Sequence, residues 1–559
     1  MLAATTFTLV AYPSLRASWY GASSFQDDTF YYLVTAKNFL RLGVFTFDGS
    51  NSTNGFQPLW MAAVVTLFKL VGPDSALELQ IFAVNILEKV LLGATVAASI
   101  GFYVYSSRRN LPWATGYLGL LLVLLCPFYF VFDQGMETTL AVLLLLIVIY
   151  AFLSDSFPLL GLALALLFLT RLDTAVFVAT PLVLWMLLKA RRTGKHCWLG
   201  IAIFLVTFCS YVALNLAATG HAVPISGALK SSFPHVRWQG AFFTEPINLA
   251  RMFGWMSLLR GINIVECAGL VLLGLVLTAL ARPAGEIRNK LLLLATIATL
   301  LLANLLMFQK WDKSIDPRYL ALPMSVASIF VANAFASATG RAASWLEARA
   351  APATRAAAKA GTDGLSKHTP AIVSALRAMP VAVICVLLLG EAEARLSRFH
   401  ADADRHEDPI RRIFLEVSRI LPPDAVVAGT DVGALSFWTQ RKVINLDGVI
   451  NNFEYQEYLR AGRLRDYLRE RGVTYLATAL WDREQTYTGR PIEPMYRQVL
   501  DPAAERGVDY VKHEFFVYSY LYGVYSDAVA LGPRDEVYRI FLGKNGVADT
   551  TYVVYRFPG

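Results

Sequence analysis

Gln26-Asp27-Asp28-Thr29-Phe30-Tyr31-Tyr32 and, ten residues on, Gly43-Val-Phe-Thr-Phe-Asp-Gly-Ser-Asn-Ser-Thr-Asn-Gly-Phe-Gln-Pro-Leu-Trp60 form a polar island in a largely apolar chain. Asp27 and Asp28 stand immediately beyond the first apolar stretch, 2–20. Adjacent carboxylates at the edge of a dry region serve as a general base or as ligands to a hard cation. The same residues also read as a helix cap with an acidic first turn, because 29–42 has a helical pattern. On that second reading, the Thr53-Asn54-Gly55 turn and the Pro58-Leu59-Trp60 helix start are structural punctuation.

Outward from this island the composition decides the class. Of 559 residues, 56% are hydrophobic and 16% charged, against roughly 25% charged in a soluble globular protein. Disorder, a coiled coil and a small disulfide scaffold are excluded. The five cysteines lie in or beside apolar stretches, spaced neither as a zinc site nor as a redox pair. A span needs about 20 mainly apolar residues. Candidate spans fall near 2–20, 79–105, 111–130, 136–153, 157–170, 173–189, 197–217, 261–281, 290–309, 318–338 and 378–392, about eleven in all. The first has no basic n-region and no evident cleavage site, and reads as a retained or truncated helix. Residues 58–72 are apolar but short and carry Lys69, so they read as a helix lying at the membrane surface.

Charge then sets the expected topology. The net charge is +8, from 50 Lys and Arg against 42 Asp and Glu. Basic clusters lie at Arg108–Arg109, Lys189–Lys195, Arg282–Lys290 and Arg341–Arg377. If 58–72 does not cross, all four fall on one side, which the positive-inside rule makes the cytoplasm. The excess therefore marks orientation, and no nucleic-acid partner is expected. The first loop, 21–78, and everything after about 393 fall outside. The predicted architecture is an α-helical polytopic membrane region over 1–392 and an extracytoplasmic α/β domain over 393–559. The stretch 339–377 is expected to be a cytoplasmic linker.

The C-terminal region alternates helical and strand patterns. A helix is predicted over 407–421 and another near 454–471. Strands are predicted at 425–429, 442–447, 473–478, 510–516, 537–542 and 551–557. Gly429-Thr-Asp-Val-Gly433 lacks the spacing of a dinucleotide fingerprint. The aromatic run 515–525 reads first as a strand with an apolar face and second as a surface for sugar stacking.

Asp-Asp-x-Phe-Tyr-Tyr, followed by Thr-Phe-Asp-Gly-x-Asn-x-Thr-Asn-Gly-Phe-x-Pro-Leu-Trp, resembles the opening loop of bacterial GT-C membrane glycosyltransferases that use polyprenyl-phosphate sugars. It is most similar to their arabinofuranosyltransferase-like branch. Gly135-Met-Glu-Thr138, Leu169-Thr-Arg-Leu-Asp173, Pro317-Arg-Tyr319 and Leu421 through Gly448 resemble further motifs of that branch in the same order. Leu172 replaces a usual proline.

The resemblance implies transfer of a sugar from a polyprenyl-phosphate donor to a glycan, lipid or protein acceptor at the outer face of a bacterial plasma membrane. Asp27 and Asp28 are then the catalytic candidates, and Lys230 and Arg318 the donor-phosphate ligands. Asn54, Gln57, Glu137, Arg171, Asp173 and His221 are expected to be substrate-binding or structural. Asp27 and Asp28 are also the candidate ligands of a divalent Mg or Mn cation. No second histidine stands at ligand spacing from His221. A transporter or flippase of a lipid-linked saccharide is the principal rival, and a non-catalytic envelope assembly factor a third reading. A transporter needs charge deep within its spans, and Glu88-Lys89 is the evident mid-span pair.

Overall fold

The computed structural model describes residues 25–108, 134–193, 195–233, 286–308, 409–481, 496–500, 511–532, 534–544 and 549–559, with a few further positions that include Arg318 and Tyr319. The spans expected at 2–20, 111–130, 261–281 and 378–392, most of that at 318–338, and nearly all of the linker 339–377 lie outside the described residues.

Helix α1 (Asp27–Leu42) starts on two acidic residues, favourable at a helix N-terminus, and stops at Gly43 in the left-handed conformation. Helix α2 (Pro58–Val71) opens on proline and buries Trp60, Met61, Val64 and Phe68 along one stripe. At 1.5 Å per residue it is about 21 Å long, short of the roughly 30 Å hydrocarbon core. Helix α3 (Leu77–Arg108) and helix α7 (Lys195–Thr219) contain the two described segments long and apolar enough to cross a bilayer. Between them in sequence lie α4 (Thr138–Leu153), α5 (Phe157–Thr170) and α6 (Leu172–Thr193). Two of the expected spans, 136–153 and 157–170, thus form helices of 16 and 14 residues. Length alone does not carry either across a bilayer of ordinary thickness. Helix α9 (Glu286–Phe308) follows the short helix α8 (Ile225–Lys230).

One end of these helices carries the basic segments. Lys290 Nζ bonds the Leu153 carbonyl and the Asp155 carboxylate at 3.1 and 2.7 Å. Lys189 and Lys290 both lie over the Trp185 ring, and the Tyr105 hydroxyl reaches the Leu153 carbonyl. The C-terminal domain packs on the opposite end. Its first helix, α10 (Pro409–Ile420), pairs Arg411 with Glu78 at the start of α3. Glu88, expected as mid-span charge, is fully buried and accepts the backbone N–H groups of Gly135 and Met136 at 2.8 and 3.2 Å. It braces a turn.

The domain is built on a five-stranded mixed sheet in the order β2-β1-β3-β10-β9. Strands β1 (Val426–Gly429), β2 (Lys442–Asn445) and β3 (Tyr475–Trp481) are parallel, and β10 (Asp549–Arg556) runs antiparallel between β3 and β9 (Glu536–Lys544). Helix α11 (Gly433–Thr439) makes the β1–β2 crossover. The helix expected near 454–471 is two, α12 (Phe453–Arg460) and α13 (Leu464–Glu470), divided at Ala461-Gly462. The aromatic run is no single strand. It closes β5 (Val511–Phe515), the middle strand between β4 (Tyr496–Leu500) and β8 (Val529–Leu531), and continues as a small hairpin of β6 (Tyr518–Ser519) and β7 (Val524–Tyr525), turned at Gly523.

Within the helical region α5 and α7 touch backbone to backbone. A Cβ on Gly161 would lie 2.0 Å from the Gly200 carbonyl oxygen, and one on Gly200 would lie 2.2 Å from that of Phe157. Small residues permit such close crossings between apolar helices, where packing is the main attraction. Gly161→Ala therefore costs about 1–3 kcal/mol by overpacking and lowers the thermal midpoint in detergent. Leu162→Ala, on an exposed face, leaves it unchanged; equal midpoints for the two variants would refute the close crossing.

Candidate active site

Helix α1 presents its two aspartates to different surroundings. Asp28 lines a cavity together with Gln57, Glu137, Arg171, Asp173, Lys230 and Arg318, all foreseen from sequence. Tyr31, Tyr32 and Tyr319 also line it, and Val449 and Ile450 of the C-terminal domain close one side. Asp27 is not among the lining residues. Its carboxylate accepts the backbone N–H groups of Gly433 and Ala434 at 2.9 and 2.8 Å.

The charges in the cavity are strongly organised. Arg318 Nη2 bonds the Asp28 carboxylate at 2.6 Å, and Lys230 Nζ stands 3.6 Å from the same oxygen. Burial alone would push the Asp28 carboxyl up. The Lys230 and Arg318 charges outweigh it and hold the group well below the usual carboxylate range. Burial likewise works against the Lys230 ammonium, and Asp28 more than compensates, raising its pKa. Asp27 moves the other way. Burial lifts it to about 6 against the pull of the Ala434 and Gly433 amides, and the neighbouring Asp28 charge adds to the rise.

A second cluster binds the rim. Arg171 pairs with Glu137 and Asp173, each at 3.2 Å, and lies 4.9 Å from the centre of the Tyr319 ring. The Arg171 and Glu137 side chains are only 5% and 4% exposed, so the pair is desolvated. Tyr32 donates to Glu137 at 3.4 Å and accepts the Gln57 N–H at 3.1 Å. Gln57 Oε1 accepts the Leu172 N–H at 3.0 Å.

Asn54 and His221 fall outside the cavity lining. Asn54 bonds Asn215 and the Ile225 N–H at 2.9 and 3.0 Å, tying the end of α7 to α8. His221 stacks on Phe453 with ring centres 3.6 Å apart. Among the described residues no three His, Cys, Asp or Glu side chains gather as a metal-ligand set, and Asp27 and Asp28 turn to different partners.

Sequence reasoning missed the residues that hold Tyr31 from the C-terminal domain and the contact between the two regions. Tyr31 donates to Asp447 at 2.9 Å and accepts from Asn445 at 2.9 Å. Burial raises the Asp447 carboxyl despite the Val449 N–H and the Asn445 and Tyr31 side chains that bond it. Tyr31, Tyr32 and Tyr319 belonged to motifs already singled out. Val449 and Ile450 carried no signal, being ordinary apolar residues after a strand.

Residues 402–550 match a family model described as Domain of unknown function (DUF8728). Curated proteins give no match. Among solved structures, the chain is similar to the crystal structure of ArnT from Cupriavidus metallidurans bound to undecaprenyl phosphate. The TM-score is 0.53 at 11% identity, over 98% of this chain and 97% of the other. The fold is GT-C. This agrees with the fold that the resemblance of the opening loop implies.

The rim cluster yields a direct test. Arg171→Ala strands Glu137 as a buried, unpaired carboxylate and costs about 3–5 kcal/mol. Adding Glu137→Gln removes the stranded charge and recovers part of that loss in detergent melts. A double variant as unstable as the sum of the singles would show that the two residues do not act as a pair.

Proposed function

We propose that the protein is a multi-pass membrane glycosyltransferase, moving a sugar from a polyprenyl-phosphate donor to a cell-envelope glycan, lipid or protein. One observation carries the reading: a GT-C fold in which a single cavity holds a carboxylate, Asp28, between two cations, Arg318 and Lys230. As the bond between the anomeric carbon and the phosphate oxygen breaks, negative charge grows on the leaving lipid phosphate. Arg318 and Lys230 stabilise that charge. The acceptor hydroxyl attacks the anomeric carbon from the opposite face and gives its proton to Asp28, so configuration inverts.

The Lys230 and Arg318 charges that hold the Asp28 carboxyl below the usual range fit this scheme. An incoming phosphate competes for Arg318 and Lys230, and a carboxylate relieved of those charges becomes more basic. A divalent cation held by Asp28 would supply charge of the same kind; in this proposal the two side chains supply it. The protein is assigned to the bacterial plasma membrane with the cavity outside, because the basic helix ends lie opposite the C-terminal domain. The opening loop makes a polyprenyl-phosphate arabinofuranose the first donor to test, beside other pentose and hexose donors.

Purified protein incubated with a panel of polyprenyl-phosphate sugars and followed by mass spectrometry should consume one donor. Asp28→Asn should slow that transfer by about a hundred- to ten-thousandfold, and EDTA should leave it unchanged. Arg318→Ala removes a charge that holds the Asp28 pKa down while burial remains. The acid limb of kcat/KM should therefore move to higher pH. Donor movement across vesicles without transfer would establish the transporter instead. Loss of activity in EDTA, restored by Mg or Mn, would return Asp28 to the role of metal ligand.

A further inference from the structure

Successive residues of a helix point about 100° apart, so α1 cannot aim Asp27 and Asp28 at one target. Asp28 faces the cavity. Asp27 faces α11, where it accepts two backbone N–H groups at the start of that helix. The contact has no slack. A Cβ on Gly433 would lie 2.3 Å from the Asp27 carbonyl oxygen and 3.1 Å from its carboxylate. Along the same helix Phe30 packs on Phe437 and Trp438. Tyr31 is held by Asp447 and Asn445, and Lys37 bonds Gln440. The C-terminal domain thus grips α1 over nearly three turns, and the same domain supplies Val449 and Ile450 to the cavity.

We propose that Asp27 is a positioning residue: with Gly433 and Ala434 it forms a latch through which the C-terminal domain fixes α1, and with it Asp28, against the cavity. The inference rests on the glycosyl-transfer reading for its effect on rate, and on geometry alone for the latch. It also gives the domain of unknown function a role, as the clamp and one wall of the site. An amide cannot replace Asp27. Asparagine offers one acceptor oxygen where the carboxylate offers two, and its NH2 would face a backbone N–H. Gly433→Ala attacks the same contact from the other domain without touching the cavity.

The test compares Asp27→Asn, Gly433→Ala and the double variant in the full-length protein. The latch predicts faster hydrogen exchange at residues 433–439 in both single variants. It predicts a turnover loss of up to about a hundredfold, as for a displaced catalytic group, with the loss divided between kcat and KM. The double variant should be no worse than the more damaging single, and the acid limb of kcat/KM should stay where the wild type has it. Binding of undecaprenyl phosphate, measured by native mass spectrometry, supplies a readout independent of turnover. Unchanged exchange and lipid binding in Asp27→Asn with all turnover lost would make Asp27 a catalytic residue and overturn the latch. Additive losses in the double variant would overturn it as well. If the wild type transfers no sugar from any donor, the transferase reading fails, and exchange at 433–439 still decides the latch.

Discussion

A carboxylate held between two cations where the helical region meets the C-terminal domain is the constraint around which the rest of this molecule is arranged. Asp28, Arg318 and Lys230 come from three distant parts of the chain, and each is costly to remove from water alone. Together they offset one another: the cations keep Asp28 ionised, and Asp28 keeps Lys230 charged. Their meeting requires α1, the end of α8 and Arg318 to converge, and it therefore fixes how the helix ends beside the cavity lie. Two cations against one carboxylate leave the cluster with a net positive charge.

The site also depends on the C-terminal domain. Asp27, Tyr31 and Lys37 on α1 bond residues of α11, β2 and the turns that follow them. The loop between α1 and α2 is tied in the same direction: Asp48 accepts from Asn51, whose side chain also donates to the Tyr467 hydroxyl at 3.2 Å. The opening loop is thus a joint between two regions, which accounts for its density of Asp, Asn, Thr and Gly. Short polar side chains satisfy backbone and side-chain groups in a contact that excludes water.

Much of this was legible in the sequence. The polar island at 26–60 stood out because Asp, Asn, Gln, Ser and Thr crowd between two apolar stretches there. Seven of the ten residues singled out line one cavity. What could not be read was direction. Adjacent aspartates look equivalent in a string, and only the helix and its neighbour separate them. Gly433 resembled part of a failed nucleotide motif, although its use is to let two backbones meet. Val449 and Ile450 were invisible because any strand-following apolar residue looks alike. The extents of α4 and α5 were legible, since apolar stretches read at 136–153 and 157–170 form helices over Thr138–Leu153 and Phe157–Thr170.

The most direct measurement is a cryo-EM structure of the protein with undecaprenyl phosphate bound. The account predicts the phosphate between Lys230 and Arg318, with the Asp28 carboxylate displaced from Arg318 and Asp27 still on the Gly433 and Ala434 amides. A phosphate bound elsewhere, with the Asp28–Arg318 pair intact, would contradict it.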